Sequence, residues 1–353
     1  MEAYQAGSRA HGALAIQAGL PIACLAGTSV EVGEAIGSLC RPQVAALTAA
    51  MSPSADRGAL ARIPDSYRPE LVALARGAHV GEDALATANL VVDPGCSALA
   101  DIGDGEHPTL IARNLDYAPV TLLGPGTLLE IVRRDGCHPF ASVGWPGLCG
   151  VVSGINDAGL CAFVLLNLSH GEHRDGEPIC FRLRRMLEVA GSLDEAARAF
   201  AASPVASSHY VFVADATGAT LLWQDRAGFH RQDAVQGWLA CTNAPRDARG
   251  EPTDTRGRWL TALKGQAARD ESWMRGVLGG CFLPDLNAQA MVLVPARLRL
   301  QLATGTGNKP AALCAWREVD LGPLMHGDPI AENAATVLPK VSPLKRYDER
   351  SGE

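Results

Sequence analysis

The chain has no CxxC cysteine pair, no long apolar run and no excess of basic residues. Its ten cysteines are scattered singly through 353 residues, which argues against a disulfide framework or a zinc ribbon. No stretch reaches the ~18 apolar residues that a membrane helix needs. The net charge of −7 argues against nucleic acid and anionic membranes as partners, because both favour clustered Lys and Arg.

The first residues also lack the basic stretch followed by an apolar stretch that marks a secretory signal. What the sequence does have is length and 47% apolar residues, enough to bury a large core. We therefore expect a globular, cytoplasmic protein whose cysteines are reduced and mostly buried.

Apolar spacing divides the chain into blocks of helices and blocks of strands. Helical spacing is found at 69–78, 82–91, 181–190, 192–202 and 258–267, and strand patterns at 109–114, 127–133, 148–166, 210–214, 219–224, 290–294 and 298–302. The strand block at 148–166 contains a turn at 156–159, and its apolar character predicts burial on both faces. Alternating blocks of this kind predict stacked layers, with helices outside and two largely antiparallel sheets between them.

The segment with the clearest chemical meaning is Gly95-Cys96-Ser97, followed at some distance by Arg113 and Asp116. A thiol reacts as the thiolate, and a cation such as Arg113 lowers its pKa. If the Gly95–Cys96 bond is cut, the new α-amine of Cys96 can act as the base. Asp116 is of the right type to orient that amine, and Gly95 allows the backbone to bend towards the thiol.

Several motifs together resemble the acyl-coenzyme A:6-aminopenicillanic acid acyltransferase family (isopenicillin N acyltransferase-like, peptidase family C45), which is related to penicillin V acylases and bile salt hydrolases. The motifs are Gly95-Cys96-Ser97, Arg113-Asn114-Leu115-Asp116-Tyr117, Pro146-Gly147-Leu148, Asn156-Asp157-Ala158-Gly159-Leu160, Thr242-Asn243 and Thr255-Arg256. Tyr4-Gln5-Ala6-Gly7 with Gly12 resembles the opening helix of that family. The sequence departs from the family at Ala244-Pro245, where His-Phe is frequent.

The resemblance implies an α+β fold, the four-layer αββα sandwich of the N-terminal-nucleophile (Ntn) hydrolases. It also implies a precursor with a mainly helical segment at 1–95, a catalytic core at 96–325 and a C-terminal extension at 326–353. Cleavage would separate residue 95 from Cys96, and the two segments would stay associated.

The resemblance also assigns roles to individual residues. Cys96 becomes the nucleophile and its amine the base, while Arg113 and Asp116 organise the thiol and the amine. Asn243 donates to the oxyanion, with Asn156 or a nearby backbone N–H as its partner. Arg256 supports the pocket, and Arg258 is the competing candidate for the same role.

The implied reaction forms an acyl-thioester on Cys96 from an amide or acyl thioester and transfers the acyl group to an amine of a small molecule. Release of the acyl group to water is one alternative, and an uncleaved, non-catalytic binding scaffold is another. The chemistry needs no cofactor and no metal. His170-Gly171-Glu172-His173 does not have the spacing of a helical zinc site.

Overall fold

The computed structural model describes residues 3–52, 54, 56–90, 95–168, 176–266, 269–331, 335–339 and 343–344, so the motif at 170–173 lies outside the described residues. The described strands are β1 Gly7–Arg9, β2 Gly12–Gln17, β3 Leu20–Gly27, β4 Gly95–Asp101, β5 Leu110–Asp116, β6 Leu128–Arg134, β7 Phe140–Gly144, β8 Ser153–Asn156, β9 Cys161–Leu166, β10 His209–Ala214, β11 Ala219–Asp225, β12 Gly228–Asp233, β13 Trp238–Thr242, β14 Asn287–Val294, β15 Arg299–Thr304, β16 Trp316–Asp320 and β17 Thr336–Leu338. The described helices are α1 Ser29–Leu39, α2 Arg41–Met51, α3 Arg68–Ala78, α4 Glu82–Leu90, α5 Val120–Leu123, α6 Ile179–Val189, α7 Leu193–Ala201, α8 Thr255–Ala262, α9 Glu271–Cys281 and α10 Leu321–His326.

The strands form two sheets that face each other. Among the described residues, the larger sheet has the order β1-β2-β3-β6-β7-β8-β9-β10-β11-β12 and the smaller sheet β13-β4-β5-β14-β15-β16-β17. Neighbouring strands are antiparallel apart from the parallel pair β3 and β6. Helices α1, α6 and α7 pack on the larger sheet, whereas α8 and α9 pack on the smaller one. This order of helix, sheet, sheet and helix confirms the predicted α+β, four-layer class.

Strand periodicity places the two cores on opposite faces of the smaller sheet. Along β4, Cys96 and Ala98 are buried between the sheets, while Leu99 is buried against the helical layer with Leu278 of α9. Because successive side chains of a strand point to opposite faces, the second residue of β4 is directed into the space between the sheets. The fold thus holds Cys96 in the centre of the molecule.

The opening segment differs from the expectation. The family resemblance predicted a helix at 4–12, but β1 and β2 form an antiparallel pair there and continue into β3. The turn between β2 and β3 is the two-residue Ala18-Gly19, whose φ angles are 49° and 77°. Two positive φ angles give a turn whose twist matches that of the flanking strands, and the pairing of β1 with β2 replaces the predicted helix.

The part of the chain before Cys96 and the part predicted as a C-terminal extension both contribute to the same layers. β3 pairs with β6, so the segment before Cys96 contributes strands to the larger sheet. In the segment predicted as a C-terminal extension, β17 pairs with β16, and the backbone N–H of Leu344 donates to the carbonyl of Gly276 at 2.9 Å.

The helix predicted at 258–267 instead begins at Thr255, because Asp254 caps it by accepting from the Gly257 N–H.

Three further properties bear on the site. None of the ten cysteines, all of which lie in the described residues, is in a disulfide. No helix in the described parts of the chain has the length and apolarity to cross a membrane. Across those same parts, no group of three or more His, Cys, Asp and Glu side chains is arranged to hold a metal ion.

Candidate active site

Cys96 lies at the second position of β4 and is completely buried. Its sulfur is 3.0 Å from Nη2 of Arg113 and 3.6 Å from the carbonyl oxygen of Val164. Arg113 comes from the adjacent strand of the smaller sheet and Val164 from the larger sheet. The thiol is therefore held at the contact between the two sheets, beside a buried cation.

Arg113 is itself held by the larger sheet through both of its terminal nitrogens. Nη1 donates to Oγ of Ser153 at 2.7 Å and to the carbonyl of Val152, and Nη2 donates to the carbonyl of Val164 at 2.6 Å. The guanidinium carbon lies 5.3 Å from the centroid of the Phe163 ring, in the geometry of a cation–π contact. These contacts hold the positive charge against the sulfur at little further cost in side-chain entropy.

Two effects on the pKa of the Cys96 thiol oppose each other in the uncut chain. Burial raises the pKa of Cys96 above its ordinary value, and the Arg113 charge and hydrogen bond act in the opposite direction. Burial has the larger effect, so the thiol is protonated at neutral pH before any cleavage. A base is needed to turn it into a nucleophile.

Asn243 follows the edge strand β13 and contacts the other end of Cys96. Its Oδ1 accepts from the backbone N–H of Cys96 at 2.6 Å, and its Nδ2 donates to the carbonyl of Leu166 at 2.8 Å. The structure thus brings Asn243, which the resemblance assigns to the oxyanion, to the backbone of Cys96. In the uncut chain its oxygen holds the nitrogen of the Gly95–Cys96 bond.

A second ion pair lies beside the backbone of Cys96. Arg256 donates through Nη1 to Oδ2 of Asp116 at 3.1 Å and through Nη2 to the carbonyl of Cys96 at 3.0 Å. Nη2 is also 3.4 Å from Oδ1 of Asn243. Arg258, the competing candidate, is exposed and donates to the carbonyl of Thr253, so the structure brings Arg256 and not Arg258 to Cys96.

Asp116 is buried and acts on Cys96 through Arg256. Burial raises the pKa of its carboxyl to about 6, against the opposing effects of Arg256 and Asn287. Its Oδ1 accepts from Nδ2 of Asn287 at 2.9 Å. The described contacts of Asp116 therefore orient the arginine that holds the Cys96 carbonyl.

Asn156 is a correction to the predicted site. Its Nδ2 donates to the carbonyls of Leu187 and Ala190 at 2.9 and 2.7 Å, and its Oδ1 accepts from the Leu160 N–H at 3.0 Å. The side chain closes the turn after β8 and caps the last turn of α6. These hydrogen bonds occupy the side chain of Asn156, which lies three positions after Ser153 on β8. Asn156 is therefore not an oxyanion donor at Cys96.

Two residues of the site were not predicted. Asn287, at the start of β14, holds Asp116, and Ser153, at the start of β8, holds Arg113. Both are completely buried polar residues. Their sequence signal is a lone polar residue at the end of an apolar strand, which a turn residue gives equally well.

Comparisons with known proteins agree with the sequence motifs. Residues 103–249 match the family model of the acyl-coenzyme A:6-aminopenicillanic acid acyl-transferase. The matched range includes Arg113, Asp116 and Asn243 and begins after Cys96, and the resemblance is confirmed over that range. It supports an acyltransferase or amidohydrolase kind of activity. No curated protein matches the chain.

Solved structures with partial likeness include proteins from Caenorhabditis elegans, Agrobacterium tumefaciens and Clostridium perfringens. An N-acylethanolamine-hydrolyzing acid amidase ortholog from Caenorhabditis elegans is 19% identical with a TM-score of 0.49, covering 69% of this chain and 100% of its own. Penicillin V acylase from Agrobacterium tumefaciens is 15% identical with a TM-score of 0.43, covering 71% and 100%. A mutant of the conjugated bile acid hydrolase from Clostridium perfringens is 12% identical with a TM-score of 0.45, covering 70% and 98%.

Proposed function

We propose that this chain is a self-processing cysteine enzyme of the Ntn type. It cuts its own Gly95–Cys96 bond and then transfers acyl groups through a thioester on Cys96 to the amine of a small molecule. One observation carries the proposal: Arg113 holds the sulfur of Cys96 at 3.0 Å while Asn243 holds its backbone nitrogen at 2.6 Å. A buried structural thiol needs neither contact, whereas a residue that becomes a terminal nucleophile needs both.

Self-cleavage begins with addition of the Cys96 sulfur to the carbonyl carbon of Gly95. The thiol proton passes to the Cys96 nitrogen, the C–N bond breaks, and a thioester joins Gly95 to the sulfur. Water then hydrolyses the thioester, which leaves a carboxylate on Gly95 and a free thiol and α-amine on Cys96. The residue before the cut is also constrained by packing. A Cβ atom at Gly95 would lie 3.1 Å from the carbonyl oxygen of Asp116 on β5, tighter than an ordinary contact, so glycine fits there.

The free α-amine completes the catalytic set. Its ordinary pKa of ~7.7–8.0 lets it take the thiol proton near neutral pH and return that proton to the departing nitrogen. Arg113 stabilises the thiolate, and Asn243 holds the amine on the opposite side of the residue. Once the α-amine has replaced the peptide N–H, rotation of the Asn243 amide can present its N–H groups to the oxyanion, a contribution of ~3 kcal/mol.

Hydrolysis is the second candidate, because water and an amine attack the same thioester. Exclusion of water favours transfer to an amine, and the complete burial of Cys96 between the sheets is the observation in favour of transfer. Mixing the acylated protein with increasing concentrations of an amine separates the two. A transferase forms the new amide in proportion to the amine, whereas a hydrolase releases the free acid at every concentration.

The test of the proposal is the intact mass of the purified wild-type chain under denaturing conditions. We expect two polypeptides, residues 1–95 and 96–353, that co-purify before denaturation. Addition of an activated ester or thioester should then increase the mass of the 96–353 polypeptide by one acyl group, which hydroxylamine removes. A single full-length chain that takes up no acyl group would favour the non-catalytic scaffold instead.

The Asp116 pKa of about 6 predicts the acid limb of the pH profile. Above pH 6 the carboxylate is charged and pairs with Arg256; below it, the protonated acid loses the ion pair that positions the Cys96 carbonyl. Protonation of the α-amine already lowers kcat/KM about tenfold per pH unit below its pKa of ~7.7–8.0, and we expect Asp116 to add a second, steeper limb below 6. The profile should be measured from pH 4.5 to 8. Asp116→Asn should be less active at pH 8 and lack this limb; an unchanged limb in the variant would assign the titration to another group.

A further inference from the structure

A groove of about 610 Å³ opens between the β11–β12 hairpin and the loop that follows Asn243. Its lining includes Tyr210, Trp223 and His230 on one side and Pro245, Arg246 and Arg249 on the other. The volume lies within the usual 300–1,000 Å³ of small-molecule sites. Neither the family motifs nor the site around Cys96 accounts for it.

The aromatic wall of the groove continues the surface on which the Cys96 thiol rests. Arg113 of the smaller sheet lies over Phe163, so Phe163 and Leu165, two residues on, face the space between the sheets. Leu165 is paired with Tyr210, the Tyr210 ring contacts Trp223, and Trp223 is paired with His230. With strands ~4.8 Å apart, this row runs about 15 Å from β9, which holds the thiol through Val164.

The opposite wall begins at the catalytic residues themselves. Pro245 lies two positions after Asn243, whose side chain holds the Cys96 nitrogen. Farther along the loop, the carbonyl of Gly250 accepts from Nε2 of Gln232 on β12 at 3.0 Å. The loop is thus tied across the outer strands of the larger sheet, and the lining of the groove begins at Pro245, two residues after Asn243.

The aromatic side chains are held in fixed positions. The rings of Tyr210 and Trp223 meet edge to face with centroids 5.7 Å apart. The rings of Trp223 and His230 are stacked at 5.0 Å with an interplanar angle of 9°, and Nε2 of His230 lies 2.8 Å from Oδ1 of Asp225. Val235, which also lines the groove, is 58% exposed. Rigid ring faces beside exposed apolar surface favour a flat aromatic group.

Two arginines of the groove offer donors to an anion, although Asp247 partly offsets their charge: its pKa is lowered by the backbone N–H groups of Glu251 and Arg249 and further by the charges of Arg249 and Arg246. Asp225 is paired with His230, and Oδ1 of Asp247 accepts the backbone N–H groups of Arg249 and Glu251 at 2.8 and 2.9 Å. Arg246 donates to the carbonyls of Gly250 and Ala240. In the described parts of the chain, no carboxylate forms a salt bridge with Arg246 or Arg249, so the two guanidinium groups can bind a carboxylate of a ligand.

The position of Asn243 assigns the groove to the amine half of the substrate. The α-amine of Cys96, on the Asn243 side, returns the proton to the leaving nitrogen, so that nitrogen lies within hydrogen-bond reach of it. By microscopic reversibility, an acceptor amine attacks from the same place. The lining of the groove starts two residues after Asn243, so the groove lies on the side of Cys96 from which this amine attacks.

We propose that the groove binds the amine partner of the reaction and that this partner carries an aromatic ring and a carboxylate, as an aromatic amino acid does. The assignment of the groove to the amine rests on the proposed function. The ring packs against the partly exposed rings of Trp223 and His230, and the buried Tyr210 ring supports Trp223 from behind. The carboxylate is bound by Arg246 and Arg249.

Binding to the uncut Cys96→Ala chain tests the groove without requiring catalysis. The probes are N-acetyl-L-phenylalanine, N-acetyl-2-phenylethylamine, which lacks the carboxylate, and N-acetyl-L-alanine, which lacks the ring, each titrated by ligand-observed NMR. We expect N-acetyl-L-phenylalanine to bind about tenfold more tightly than either of the others. Arg249→Glu should remove the advantage of the carboxylate, and Trp223→Leu the advantage of the ring.

Arg258→Glu is the matched control, since Arg258 is exposed nearby, donates to the Thr253 carbonyl and does not line the groove. It should bind all three probes as the parent does. Equal affinities of the three probes for the parent chain, or an advantage of N-acetyl-L-phenylalanine that survives both Arg249→Glu and Trp223→Leu, would overturn the proposal. Absence of self-cleavage in the wild type would count against the proposed function and leave this binding result standing.

Discussion

Cys96→Ala is expected to remain a single chain of 37.0 kDa that neither cuts itself nor forms an acyl-enzyme. Every step of the proposed reaction passes through a bond to the Cys96 sulfur, so the remaining groups can only position the substrate. Loss of a covalent nucleophile typically lowers the rate by a factor on the order of 10⁴ or more. The measurements are intact mass after prolonged incubation and the rate of amide formation from an acyl thioester and an amine.

Cys281→Ala is the matched control for Cys96→Ala. Cys281 is also completely buried against β4, but on the opposite face, where its sulfur is 3.5 Å from Oγ of Ser97. Both variants remove a buried sulfur beside β4, one on the strand itself and one at the end of α9, and only Cys96 is next to Arg113. Cys281→Ala should be cut to completion and keep its activity. Two fragments from Cys96→Ala would show that another protease makes the cut.

Much of the site could be predicted because its chemistry is local in sequence. Cys96, Arg113 and Asp116 lie on two adjacent strands, and the pairing places Arg113 on the same face as the Cys96 thiol. Asp116 is opposite Gly95, on the other face, and reaches the backbone of Cys96 through Arg256. Asn287 could not be found in this way, because it reaches Asp116 from a strand 171 positions later in the chain. For Asn156 the residue type fits a turn and an oxyanion donor equally well. Only its hydrogen bonds to the carbonyls at the end of α6 show that it serves the turn.

The fold shows the same division between local and distant causes. The helices at 69–78 and 82–91 were predicted because apolar residues recur at helical spacing, and α3 and α4 lie there. Helix α9 was missed because its three glycines lower its helix propensity. It forms because Met274, Val277, Leu278 and Cys281 bury one face against the smaller sheet. Packing against distant strands overrides local preference.

Arg113→Met is expected to slow self-cleavage and acyl transfer by roughly 10³-fold, a loss of about 4 kcal/mol of transition-state stabilisation. The Arg113 guanidinium is the cation that opposes the burial of the Cys96 thiol. Without it, burial alone acts on the thiol, and its pKa rises further. Arg113→Lys keeps the charge, but a single ammonium cannot reach Ser153, Val164 and the sulfur together, so we expect it to recover only part of the loss.

The fold should survive this substitution, since the carbonyls that Arg113 contacts keep other partners. The Val152 carbonyl also accepts from the Val164 N–H at 3.0 Å, and the Val164 carbonyl from the Cys96 thiol. Arg275→Met serves as a control, because Arg275 is another buried guanidinium, 6.0 Å over the Trp316 ring and remote from the thiol. The rate of alkylation of the thiol by iodoacetamide should be measured against pH. An Arg113→Met profile identical to that of Arg275→Met would mean that Arg113 joins the sheets without activating Cys96.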